Sequence, residues 1–307
     1  MVNKPQAAVG QTAVGHATAD LEPGPVALQP RDVRFDWSGL PLRWIPGEPV
    51  ASHVLSTLHL LLPEGERWFV RTFKQALPFI RDEELREDVI GFIGQEAIHA
   101  EAHQGVLDYY TDHGVDTARY VRHMEWLFHR ILGDRPGMAP AGERELLIEH
   151  VAIVAAIEHF TAMMGAWILD ADALDAASPN PRMLDLLRWH GAEEVEHRNV
   201  AFDLLVYLDP SYSRRVRSLL IVMPILLWLW IRGSRFLSAA DHGSPRSLVT
   251  WRGYLSAARR GLLPTPAAYR QCTRRYFRRG YHPSQDYSTR KVVAYLASSP
   301  AARAAAR

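Results

Sequence analysis

Two Glu-x-x-His spacings, far apart in the chain, constrain its fold more than any other feature. The first lies in Gln95-Glu96-Ala97-Ile98-His99. The second lies in Trp189-His190-Gly191-Ala192-Glu193-Glu194-Val195-Glu196-His197, where Glu194 and His197 repeat the spacing and His190 precedes Glu194 by four. Residues three and four apart on a helix lie over one another, so each stretch aims a carboxylate and an imidazole at one side. Two lone glutamates, Glu66 and Glu158, sit in other apolar helical segments. One glutamate from each of two helices plus Glu-x-x-His from each of two more is the set with which a helical bundle holds two metal ions. Carboxylates offset and bridge the cations, and imidazole nitrogens tune them.

The register of the second motif is ambiguous. Glu193 stands three after His190 and four before His197 and is an alternative ligand; Glu194 is preferred because it reproduces the Glu96/His99 spacing. Glu193 and Gln95 then occupy equivalent positions, each just before a ligand glutamate. Metal-bound imidazoles usually donate their other N–H to a neighbour, so Glu193 is expected to orient His99 and Gln95 to orient His197. His103, four after His99, is expected beside the site or lining a pocket, and Asp203 is a weaker candidate for a supporting role. Trp68, Phe92, Phe160, Trp167 and Trp189 read as core aromatics rather than a substrate cage.

Turn and cap signals divide the rest. Residues 1–32 read as a disordered tail, and 33–49 as an extended arm rich in Pro, Gly and Trp. Ser52 is a candidate cap for a first helix that meets a kink or restart at Pro63-Glu64-Gly65. Asp82 followed by Glu83 and Glu84 opens a second helix, which Gly114 stops. A shorter helix from Asp116 to near Gly133 precedes a long apolar one over 143–171. Asn180-Pro181, a cap followed by proline at the first helical position, launches a helix carrying His190 to His197 as far as Pro210. Strand-like alternation is nearly absent. The expected fold is all-α: a dimetal-binding bundle over 33–210 and a basic helical extension over 211–307, read as two short helices and a frayed end.

Charge is uneven along the chain. The net charge is only +1, from 35 Lys and Arg against 34 Asp and Glu. From Ser211 onward there are eighteen basic residues and two acids, Asp241 and Asp286. Such a tail suits an anionic partner: a phospholipid surface, the chain's own acidic body or a neighbouring subunit. Nucleic acid ranks last, since no recognisable binding module accompanies the arginines. Residues 219–231 (LLIVMPILLWLWI) are uncharged and apolar, with Arg214, Arg215 and Arg217 before them and Arg232 and Arg235 after. A spanning helix needs about 20 apolar residues, so this run reads first as a helix packed on the bundle or closing the site. Its arginine flanks, with Trp228 and Trp230 near one end, make peripheral membrane contact over 214–235 the alternative. The one cysteine, Cys272, excludes an internal disulfide and a thiolate metal site and fits a cytoplasmic protein.

The stretches FDWSGLPLRWIPGEP, LLPEGERWF, FIGQEAIHAEAH, AIEHFTA and WHGAEEVEHRNVAFD resemble the bacterial family described as predicted metal-dependent hydrolases, grouped with the ferritin-like superfamily. The resemblance runs from Phe35 to about Pro283 and implies a ferritin-like four-helix bundle with extra C-terminal helices. The His190, Glu194, His197 pattern is also similar to aminoarene N-oxygenases, whose di-iron sites use a third histidine. By that likeness Glu66, Glu96, His99, Glu158, His190, Glu194 and His197 are the seven metal ligands and the catalytic set. The expectation is a di-iron enzyme using O2 to oxidise an organic, hydrophobic small molecule, with manganese or a mixed Fe/Mn pair as substitutes. A hydrolase with a dimetal-activated water, for which zinc suffices, is the alternative, and a ferritin-like iron-handling protein the third. A homodimer is compatible with all three.

Overall fold

The computed structural model describes residues 27–241 and 249–306. Among these residues there is helix and no strand, so the fold is all-α. Most of the N-terminal tail expected from sequence, residues 1–26, lies outside the described residues.

Residues 27–48 form the arm, held by its aromatic residues. Trp44 and Ile45 are buried; the Trp44 indole donates to Ser56 Oγ (3.0 Å) and its carbonyl accepts from Asn180 N (2.7 Å). Helix α1 (Pro49–Ala76) starts at proline, the residue that loses least by lacking an N–H in a first turn. Ser52, expected as its cap, lies inside it instead, with Oγ accepting from Ile45 N at 3.0 Å. Of the kink or restart expected at Pro63, the restart is absent. Pro63 costs one backbone hydrogen bond, but Pro63, Glu64 and Gly65 are all buried and α1 continues as one helix to Ala76.

Helix α2 (Glu83–Asp112) is capped by Asp82, whose side chain accepts from Leu85 N, and carries Glu83 and Glu84 in its first turn. It stops ahead of Gly114, at φ +86°. Helix α3 (Ala118–Trp126) runs into a wider turn over Leu127–Ile131. Helix α4 (Pro140–Leu169) is the apolar core helix, and α5 (Asp172–Ala176) is a single turn. Asn180 caps α6 (Pro181–Glu196) by accepting from the amides of Arg182 and Met183. The single helix expected from here to Pro210 is broken: α6 ends at Glu196, a turn follows, and α7 (Val200–Leu208) restarts.

Helices α1, α2, α4 and the α6–α7 pair pack side by side, and α8 (Tyr212–Ala240) lies along α1 and α4. Among the described residues the extension holds four further α-helices rather than two: α9 (Trp251–Arg259), α10 (Pro266–Tyr276), α11 (Thr289–Ser298) and α12 (Pro300–Ala305). One apolar core joins the arm to α12, from Val33 to Ala302. Part of the basic excess meets the chain's own acids, in Arg214–Glu145 (2.7 Å), Lys291–Asp170 (2.6 Å) and Arg275–Asp286 (2.7 Å).

Candidate metal centre

The packing of these helices brings Glu66 from α1, Glu96 and His99 from α2, Glu158 from α4, and His190 and Glu194 from α6 to one interior point. His197, the residue that ends α6, completes the set. They form two overlapping groups, Glu66/His99/His190/Glu194 and Glu96/Glu158/Glu194/His197, with the ligand atoms of each within 4.8 Å of one another. Glu194 belongs to both. Its Oε1 lies 2.6 Å from His190 Nε2 and its Oε2 3.4 Å from His197 Nε2. Glu96 also faces both ways, with Oε1 3.7 Å from His99 Nδ1 and 3.3 Å from His197 Nε2. Glu66 Oε1, 3.7 Å from His190 Nε2, and Glu158 Oε2, 3.1 Å from His197 Nε2, stand at opposite ends.

None of the seven residues is more than 5% exposed, and a carboxylate stripped of water is costly unless something compensates it. Within the chain only the imidazoles of the centre do so, and in part. Both oxygens of Glu66, Glu96 and Glu158, and Nδ1 of His99, are buried without a hydrogen-bond partner. Burial first, then the like charge of Glu96 on the one and of Glu194 on the other, pushes Glu66 and Glu158 well above the usual carboxylate range. Burial opposes the charged form of His99 and His197, yet Glu193 and Glu96 around the one and Glu158 and Glu194 around the other keep both protonated beyond the usual histidine range. Four carboxylates match the charge of two divalent cations. Unsatisfied oxygens and imidazole nitrogens, with no thiolate, are the donor set such cations take, so the residues present fit a dinuclear centre.

Each imidazole has one nitrogen turned to this point and the other held from behind. His99 Nε2 donates to Glu193 Oε2 (2.9 Å), and His197 Nδ1 donates to Gln95 Oε1 (3.1 Å), the pairings read from the sequence. Glu193 therefore sits behind His99 and not among the converging carboxylates. His190 Nδ1 is held by a close hydrogen bond with His103 Nε2, and His103 Nδ1 in turn meets His59 Nδ1 at 2.7 Å. Asp203 takes no place here: on α7, 40% exposed, it accepts from His282 at 2.7 Å.

Two contributors escaped the sequence reading. His59 carries a faint signal, seven residues before Glu66 and so on nearly the same face of α1. Arg31 carries none. It falls in the stretch that reads as a tail, yet Nη1 reaches Glu193 Oε1 (2.6 Å) and Glu196 Oε2 (2.9 Å), and Nη2 reaches Glu196 Oε1 (3.0 Å). Glu196 Oε2 also accepts from Gln95 Nε2 at 2.7 Å, which turns the Gln95 carbonyl oxygen toward His197. One guanidinium thus fixes the groups behind two imidazoles. Glycines on α2 let the arm come this close: a Cβ on Gly94 would stand 2.3 Å from Pro30 Cγ, and one on Gly91 2.5 Å from Leu28 Cβ.

Beside His190 and Glu194 lies a cavity of about 90 Å³. Apart from these two and Thr161 its wall is apolar, built from α1, α4, α6 and α8 with Met124 and Phe128. Phe160 and Trp167, expected as plain core, are part of that wall. Cys272 is buried away from it, and burial pushes its thiol up, out of the range of a nucleophile at neutral pH.

The sequence model of the family described as predicted metal-dependent hydrolase matches residues 29–286. The chain belongs to that family. The match takes in Arg31, all seven converging residues and α8 to α10. No curated protein and no solved structure gives a significant match. The metal-dependent hydrolase description agrees with a buried His/Glu centre and leaves the metal's identity open.

Proposed function

We propose that the chain is a dinuclear metal-dependent enzyme acting on an apolar small molecule, with hydrolysis as its first reading. The observation that carries the metal centre is the convergence of seven buried side chains, three of whose four carboxylates, Glu66, Glu96 and Glu158, have no hydrogen-bond partner at either oxygen. Glu66, Glu96, Glu158 and Glu194, the last of which belongs to both groups, would supply the oxygens that hold two ions, and His99, His190 and His197 would supply the nitrogens. Two divalent ions held there would supply Lewis acidity, which acidifies water and polarises a carbonyl or phosphoryl oxygen. Glu193, Gln95 and His103 keep the imidazoles aimed, and the cavity wall beside Glu194 excludes bulk water and accepts alkyl groups. The sequence alone puts oxidation ahead of hydrolysis; the family's description reverses that order.

Oxidation by O2 on iron or manganese is the second reading. It is favoured by a carboxylate-rich, thiolate-free donor set next to a chamber that offers a polar ester or phosphate little besides His190, Glu194 and Thr161. The likeness of the His190/Glu194/His197 pattern to the N-oxygenases supports the same reading, as does the ferritin-like resemblance.

Reconstitution separates the two. Metal-free protein is loaded with zinc, manganese or iron and given p-nitrophenyl acyl esters without oxygen. Turnover with zinc, lost in Glu194→Ala along with most bound metal while the helical circular dichroism persists, is the expected result. Substrate-dependent O2 consumption with iron or manganese alone, and no anaerobic turnover, moves oxidation to first place. Full metal stoichiometry in Glu194→Ala removes the centre.

A further inference from the structure

Helix α8 has two apolar faces. On the inner one, Leu219, Val222, Leu229 and Leu237 are buried, and Leu226, Leu229 and Trp230 wall the cavity beside Glu194. On the outer one, Leu220, Ile221, Ile225, Leu227, Trp228 and Ile231 are each at least 42% exposed. Among the described residues, the two helices long and apolar enough to cross a membrane are α4 and α8, and they differ in kind: 67% of the apolar stretch of α4 is buried but only 28% of that of α8. The outer face continues onto α3, where the His123 ring lies 5.8 Å from Trp228 and 5.7 Å from the exposed Trp126. Monomeric soluble proteins seldom leave so continuous an apolar patch in water.

Unpaired cations edge this patch. The Arg232 guanidinium lies 5.3 Å over both Trp228 and Tyr120, and Arg122 and Arg235 are exposed nearby in the sequence of α3 and α8. On the other side, Thr273 of α10 reaches Met223 Sδ at 3.8 Å, which brings Arg270 and Arg274, both exposed, alongside. None of these five arginines has a carboxylate partner among the described residues. Tryptophan and arginine around an apolar stripe are the features of a helix lying in the plane of a lipid interface. A spanning role does not fit, because the inner face is packed on α1 and α4 and Arg214 ties the first turn to Glu145.

We propose that the outer face of α8 seats on an anionic phospholipid surface. That α8 then separates lipid from the cavity, so that an apolar substrate passes from one to the other, rests on the proposed function. The seating does not. A second copy of the chain fits this face less well: with basic residues toward both ends of the apolar stripe, a two-fold pairing of α8 with itself sets cation against cation in either direction.

Vesicle flotation with the full-length, metal-loaded protein tests this. Vesicles of phosphatidylcholine with phosphatidylglycerol should carry the protein at low salt, phosphatidylcholine alone far less, and added salt should weaken the binding, since the attraction of surface charges is screened. Leu227→Glu with Trp228→Glu should lower the binding at least tenfold with helical content and bound metal unchanged, and Arg232→Glu with Arg270→Glu should remove its salt dependence. No binding to either vesicle overturns the proposal. So does a wild-type dimer that the Leu227/Trp228 variant converts to monomer, which would identify the occupant as a second copy. Neither readout needs turnover, so failure here leaves the metal centre standing, and failure of metal binding leaves this surface standing.

Discussion

A single arginine shows how far support for the centre extends beyond the seven converging residues. Arg31 touches none of them, yet it anchors Glu193 behind His99 and, through Glu196 and Gln95, the amide behind His197. Losing a group that orients a ligand imidazole typically lowers metal affinity by roughly 10–100-fold. Arg31→Ala is therefore expected to weaken metal binding by a factor in that range, measured by competition with a chromophoric chelator, with little change in helical content. Unchanged affinity would reduce Arg31 to a surface ion pair. Its position was illegible in the sequence, because the partners are more than 160 residues away and a guanidinium in a Pro-rich segment carries no period.

At the scale of elements, the centre requires α4 and α6 to run almost in backbone contact. A Cβ on Gly165 would sit 2.3 Å from the Gly191 carbonyl oxygen, and one on Gly191 would sit 2.8 Å from Gly165 Cα. Neither neighbour can move aside, since both are helix backbone. This explains a glycine inside the metal motif itself, where a helix interior otherwise disfavours one. Gly165→Ala should force the helices apart, costing about 1–3 kcal/mol as overpacking does, and should separate Glu158 from Glu194. Thermal unfolding and metal content report both effects; an unchanged midpoint with full metal would show that the crossing tolerates a methyl group. The break between α6 and α7 belongs to this scale too. His197 ends α6 rather than continuing it, and no proline or run of glycines marks that break in advance.

For the whole molecule, burying four acids at one point is a cost that cations offset. Glu66 and Glu158 are held well above their ordinary value of 4.5, by burial first and by neighbouring carboxylates second. A carboxyl group whose folded value is raised lends its full stability below the unfolded value and loses it as pH rises through the folded one. The metal-free fold should therefore lose this contribution as pH increases. Divalent ions, which take the ionised form and displace protons from His99 and His197 as well, should bind more tightly over the same range. The increase in melting temperature on adding a fixed excess of zinc or manganese is expected to be larger at pH 8 than at pH 6, by scanning fluorimetry. An equal or smaller increase at pH 8 would mean that the ions do not bind at these carboxylates.

What depends on neighbours along the chain can be read from residue order. The all-α class follows from helical period and caps such as Asp82 and Asn180, and the faces shared by Glu96 with His99 and by His190 with Glu194 follow from helix geometry. Even the pairings of Glu193 with His99 and Gln95 with His197 were legible, because two matched motifs imply matched surroundings. Helix packing sets the rest: that Glu66 and Glu158 meet the motif residues, that Arg31 and His59 stand behind them, and that α8 walls a cavity with one side while exposing the other. Those facts join residues from segments distant in the chain, and whether such residues meet depends on how helices pack and cross, which no local spacing encodes.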